Sequence, residues 1–248
     1  MRLLGKIAWV ELKLFVREPV NVVFTLALPL LMFYVLAGVF GNEPETEEQV
    51  FRGVGGIDYY TPAYVGLVIA SLGVIGLPVH LASYREAGVL RRFHASSVPV
   101  WTVAAAQALV TFILSIAGTI LVLVAAFVGY DVHAPESIPL LVAAFLLSVV
   151  VFAAVGFLLG AVLPTARAAQ GAGIVLFFVM LMVAGAGPPP EVMPGSMVAL
   201  GKATPLQHVI VLLQDAWLGF GWNTFQTGIV AVFFVGSIGM ALWKFRWE

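Results

Sequence analysis

Six stretches of this chain are too long and too apolar to fold as anything but bilayer-spanning helices. They run over residues 20–40, 60–82, 98–128, 138–163, 168–184 and 223–243, and none holds an Asp, Glu, Lys or Arg in its central part. A helix crossing a hydrocarbon core of about 30 Å needs roughly 20 such residues. Composition agrees: 61% of the 248 residues are hydrophobic and 10% are charged. A soluble domain is about half apolar and about a quarter charged, so this chain has too little polar surface to cover a water-soluble globule. The expected fold is an all-α integral membrane protein, one transmembrane domain over residues 1–248. The absence of cysteine excludes disulfides and thiolate metal sites.

The polar punctuation between the runs carries the remaining information. Residues 2–18 predict an amphipathic helix, with Arg2, Lys6, Lys13 and Arg17 inside an arc of roughly 60°. Such a helix lies at the membrane surface, its basic edge toward lipid headgroups or toward a partner protein. Charges mixed into its apolar pattern make it unlike a cleaved signal. Glu18-Pro19 ends it. Pro29 predicts a kink or local bend within the first span, and Pro78 lies near the end of the second. Residues 41–58 form an acidic loop, and Tyr59 and Tyr60 are expected in an interfacial aromatic belt. The glycines of 52–56 lack the Lys-Ser/Thr ending of a phosphate loop and are expected to give a flexible loop. Gly156 and Gly160, four residues apart, allow close helix packing. Residues 185–220 hold Pro188, Pro189, Pro190, Pro194 and Pro205. They are too broken for one crossing and too apolar for an ordinary loop, so re-entrant half-helices before the last span are expected.

Six spans put both termini on one side. Ten of the 12 cations then share that side, and only Arg52 and Lys202 lie opposite. The positive-inside rule makes that side cytoplasmic.

Between the second and third spans sits a charged island, SYREAGVLRRFHASSVP, residues 83–99. By itself it reads as a solvated, positive-inside loop. With the amphipathic start ending in Phe-Val-Arg-Glu-Pro (15–19), the stretch GAGPPPEVMP (185–194), and Ala-Thr-Pro-Leu-Gln-His (203–208), it carries a family likeness over nearly the whole chain. The sequence resembles the permease subunits of type-2 ABC exporters, a group that includes drug-resistance and polysaccharide exporters.

The resemblance implies residue roles. Tyr84, Arg85, Glu86, Gly88, Val89, Leu90, Arg91, Arg92 and Phe93 fall in the coupling helix (84–97) that meets the ATPase. Glu86, Arg91 and Arg92 would supply charge there, and Val89, Leu90 and Phe93 the apolar contact. Lys13, Arg17 and Glu18 belong to a connecting helix. Pro188, Pro190, Glu191, Pro194, Pro205 and His208 belong to an outward re-entrant gate. The implied partners are two copies of a separate ABC ATPase holding ATP and Mg, a second permease subunit of the same kind, and membrane lipid. The cargo implied is an amphiphile, either a drug, a lipid or a lipid-linked glycan.

The chain has no Walker phosphate loop and no evident nucleophile–base set, so enzyme activity of its own is not expected. His80, His94, His133 and His208 are scattered without an i, i+4 pair, so no metal site is expected. His208 reads either as a cavity lining or as an interfacial residue. Asp215 and Glu191 are expected in solvent near the outer surface. Two other classes compete. An ion-coupled transporter or channel would place Asp, Glu, Lys or Arg within its spans, and the central parts of all six hold none. A membrane anchor for a soluble partner would leave the broken segment 185–220 without a reason.

Overall fold

The computed structural model describes residues 2–43, 50–89, 92 and 100–244. The described residues form helices and connecting turns, with no strand among them. Helix α1 (Arg2–Arg17) is the amphipathic start. Six helices are long and apolar enough to cross a membrane: α2 (Pro19–Phe40), α3 (Gly56–Glu86), α4 (Val100–Gly129, spanning as Ala105–Gly129), α5 (Ile138–Val162), α6 (Ala166–Val183) and α9 (Thr224–Lys244). Before the last come two short helices, α7 (Gly195–Lys202) and α8 (Pro205–Trp217), meeting at 88°. These are the expected half-helices.

The bundle is arranged around α3. Every residue from Gly55 to Ala82 is buried, whereas only a minority of each other span is. Lipid tails are as apolar as leucine, so helices in a bilayer gain little by hiding apolar surface from it. Close packing and shared hydrogen bonds hold them together instead. Both means are visible along α3. The spacing Gly156–Gly160 of α5 lies against it: a Cβ on Gly156 would stand 2.1 Å from the Gly73 carbonyl, and one on Gly160 2.7 Å from Leu81. On another side, a Cβ on Gly173 of α6 would stand 2.3 Å from the Val74 carbonyl. Backbone therefore touches backbone on two faces of the helix.

The irregularity expected at Pro29 takes a form that recurs at Pro78. In α2 a π-helical turn, Val23–Ala27, precedes Pro29; in α3 another, Leu72–Gly76, precedes Pro78. Proline has no N–H and its ring crowds the carbonyl four residues back, so the helix widens by a turn ahead of it. The carbonyls this releases must find partners inside the protein. Thr25, four residues before Pro29, has its carbonyl 2.8 Å from the Ser71 hydroxyl of α3. Val74, four before Pro78, is the residue that abuts Gly173.

Tyr59 and Tyr60 correct the sequence expectation. They do not stand in an interfacial belt but lie buried, 1% and 0% exposed, in an aromatic cluster with Phe40, Phe51 and Tyr64. The expected flexible loop is in fact a formed turn, Val50–Gly53, that lays Phe51 over both rings at 5.5 and 5.6 Å.

Backbone contact at Gly173 makes a sharp test. Gly173→Ala is expected to destabilise the protein by about 1–3 kcal/mol, the usual cost of overpacking. Gly171→Ala, two residues away in open space, is expected to be neutral or slightly stabilising. Thermal unfolding in detergent distinguishes them.

Candidate functional site

The two ends of α3 carry the polar chemistry. At the island end, the first residues beyond the buried stretch are Ser83, Tyr84, Arg85 and Glu86. Tyr84 packs on a small apolar cluster of Leu77, Leu81, Phe157 and Ala241. Arg85 turns inward. Its Nη1 donates to the Leu163 carbonyl at 3.0 Å, and its Nη2 to those of Gly160 at 2.6 Å and Ala161 at 3.5 Å. These carbonyls close the last turn of α5, where no helical N–H remains to meet them. A guanidinium fork suits that negative helix end.

Glu86 does the converse. Its Oε2 accepts from the Ala166 N–H at 3.3 Å, at the start of α6, where a helix favours an anion. Thr165 caps the same helix through the Ala168 N–H at 3.1 Å. Two adjacent charges thus tie the foot of α3 to the end of one neighbour and the beginning of the next. Arg85, expected to take part in partner contact, is instead committed to its own chain, whereas Glu86 and Arg92 remain exposed. Gly88 has a left-handed φ of 66° and turns the chain there. Val89 is half-buried. Leu90, Arg91, Phe93 and residues 94–97 lie outside the described residues.

The connecting helix reaches the same end of the bundle. Phe15 is buried against His80 of α3, ring centroids 6.3 Å apart, while Lys13 and Arg17 are exposed on the other face. Lys13 lies over the Trp9 ring at 5.2 Å. Glu18 accepts from Asn21, and Asn21 in turn accepts from Gln170 of α6 at 3.5 Å. The α1–α2 joint is therefore linked to α6 as well.

At the far end, residues 184–223 form a cap bonded to the top of α3. The Tyr59 hydroxyl donates to the Gly185 carbonyl at 3.1 Å, and the Tyr60 hydroxyl to that of Gly187 at 2.7 Å. Gln214 of α8 donates to the Tyr59 carbonyl. Arg52 reaches across: Nη2 to Asp215 Oδ1 at 2.5 Å, Nη1 to Gln214 Oε1 at 3.2 Å, its guanidinium over Phe220 at 4.7 Å. Asn223 donates to the other Asp215 oxygen. At the first turn of α3, Asp58 accepts from the His133 N–H at 2.8 Å and faces its Nδ1 at 2.7 Å.

The re-entrant residues fall within this cap in different roles. Pro190 starts a 3₁₀ turn, Pro194 precedes α7, and Pro205 opens α8. Pro188 lines a cavity of about 380 Å³ with Leu36, Phe40, Phe51 and Tyr60, between the end of α2 and the cap. Glu191 is exposed, as expected. His208 is packed inside the cap. It is 4% exposed, Nε2 donating to the Lys202 carbonyl and Nδ1 against the Gln226 side-chain amide. It fixes α7 and α8 to α9.

Asp215 was expected in solvent, and its side chain is 5% exposed. The sequence offered one signal: Arg52 is one of two cations among nine acids on that side, so an acidic partner was at hand. Nothing in the sequence said which.

A protein-family model for the ABC-2 type transporter matches residues 2–218. The chain belongs to that family. It is a multi-pass membrane permease subunit of an ABC transporter, the transmembrane component and not the ATPase, and family membership implies work with an ABC ATPase subunit. The matched span covers both ends of α3 in this permease. A search of the curated proteins returned no significant match.

The Arg52–Asp215 pair is expected to behave as a buried charge pair. Asp215→Leu alone leaves a cation partly desolvated and is expected to cost about 2–3 kcal/mol, somewhat less than for a fully buried pair because Arg52 is about a quarter exposed. Combining it with Arg52→Met is expected to recover much of that loss. Melting temperatures of the two variants in detergent check this.

Proposed function

We propose that this permease is the membrane part of an ATP-driven exporter, carrying an amphiphilic substrate such as a drug, a lipid or a lipid-linked glycan outward. Two identical permeases pair, and two ATPase subunits, each with ATP and Mg, dock beneath them. Both termini and the island face the cytoplasm, as the positive-inside count indicates, and the cap faces outward.

One observation supports this reading above the others. A single helix of 31 residues, Gly56–Glu86, carries the island at its foot and the cap at its head. At about 1.5 Å per residue it reaches roughly 45 Å, enough to span the bilayer. In this reading the helix, packed backbone to backbone on two sides across its widened turn, shifts as one body. A push on Glu86 and Arg92 would shift the foot of α3 together with the α5–α6 turn that Arg85 and Glu86 hold. The same displacement at the head would act on the Tyr59 and Tyr60 hydrogen bonds to Gly185 and Gly187. In this reading Lys13, Arg17 and Glu18 feed motion in from α1, and Pro188, Pro190, Glu191, Pro194, Pro205 and His208 belong to the gate that yields.

The test uses the permease purified with its ATPase in vesicles. Glu86→Lys, or Arg91→Glu with Arg92→Glu, is expected to leave membrane insertion intact and reduce export and substrate-stimulated ATP hydrolysis to background. Glu86→Gln, which can still accept from Ala166, is expected to be milder. Normal ATPase binding and export in the charge-reversed variants would refute the coupling role.

A further inference from the structure

Helix α1 meets the bundle through Phe15, which is buried beside His80 and close to Gly76 of α3. On its other side, Val16, Trp9, Lys13 and Arg17 fall in that order within an arc of about 100°. All four are exposed, Val16 by 70% and Trp9 by 60%. The arc therefore has an apolar edge and a basic edge. Lys13 joins the two, its Nζ 5.2 Å from the centre of the Trp9 ring. No acid among the described residues shares the arc, and Glu18 turns instead to Asn21.

The apolar edge does not stop with α1. Exposed positions recur at Val16, Val20, Val23, Ala27 and Leu31, three or four residues apart across the break at Glu18. From Val20 onward they belong to the first span, where an exposed side chain meets hydrocarbon. The exposed face of α1 thus carries a lipid-facing surface out to the membrane boundary on the island side. A soluble partner could meet Lys13 and Arg17, but it could not follow this face into the bilayer to cover Val20 and Val23. Lipid does both. Indole rings settle at the headgroup level, and basic side chains lay their stems on apolar surface with the charge among the phosphates. Two cations with no acid beside them favour a lipid of net negative charge over a zwitterionic one, whose ammonium group they repel.

We propose that this face of α1 binds an anionic phospholipid of the island-side leaflet, its phosphate between Lys13 and Arg17 and its glycerol and upper acyl chain against Trp9 and Val16. The bound lipid holds α1 against the foot of α3 through Phe15, so lipid charge helps set the position of this helix. The site depends neither on what the permease carries nor on how an ATPase docks.

The full chain, labelled with 5-fluorotryptophan, is placed in phosphatidylcholine nanodiscs. Phosphatidylglycerol or phosphatidylcholine, each spin-labelled at the top of one acyl chain, is then added in rising proportion. The Trp9 fluorine signal, assigned through Trp9→Phe, is expected to broaden at a lower proportion of the anionic lipid than of the zwitterionic one. One cation near an anionic surface is worth a factor of about 5. Lys13→Gln or Arg17→Gln is therefore expected to raise the proportion of phosphatidylglycerol required about 5-fold. Lys13→Arg is expected to keep the preference, and molar salt to weaken it. Equal broadening by the two lipids, no broadening by either, or a preference unchanged in the double glutamine variant would overturn the proposal. So would a Trp9 signal that sharpens when the ATPase is added, because that would give the face to the soluble partner.

Discussion

A backbone carbonyl left without its helical partner inside a bilayer has no water to turn to. Proline creates such carbonyls, and this protein places prolines in its first span and in its most buried one. The consequences run through the structure. The carbonyl of Thr25 ahead of Pro29 is met by a serine of α3, which joins α2 to the centre. Ahead of Pro78, the widened turn of α3 is the segment that Gly156 and Gly173 approach. The widened turn of α3, where its helix hydrogen bonding is interrupted, is therefore a place where neighbours come close. A bundle with little hydrophobic drive to assemble is held at these points.

The same accounting explains both ends of α3. Helix termini expose carbonyls at one end and amides at the other. At the foot, the end of α5 and the start of α6 are served by Arg85 and Glu86, two neighbouring side chains of opposite sign. At the head, the turn after α6 offers the carbonyls of Gly185 and Gly187, and two tyrosine hydroxyls of α3 donate to them. A helix joined to its surroundings by directed bonds at both ends, and by backbone contact between, is suited to pass displacement from one side of a membrane to the other.

Charge is handled differently on the two faces. Toward the cap, Arg52 is drawn into a partly buried group with Asp215, Gln214 and Phe220. It is reached from a turn whose residues Phe51 and Arg52 both hold a left-handed backbone, φ 58° and 60°. Such residues cost free energy and persist where surrounding contacts hold them. Here those contacts are the Phe51 ring against Tyr59 and Tyr60 and the Arg52–Asp215 pair. Toward the island, Glu86 and Arg92 stay in solvent, available to a partner.

Periodicity and charge were enough for the membrane class, the six spans, the amphipathic start, the irregularity at Pro29 and the broken segment before the last helix. Each of these follows from the length of an apolar run or the backbone of a proline, which are local properties. Which span stands at the centre was not legible, because 60–82 is no more apolar than its neighbours, and only the packing of the other helices around it decides its burial. Nor could local pattern show that Tyr59 and Tyr60 turn inward, that Arg85 serves its own chain, or that Asp215 is the acid Arg52 selects. Those outcomes depend on atoms up to 163 residues apart, and a hydrogen bond at that separation leaves no trace in the spacing of residues along the chain.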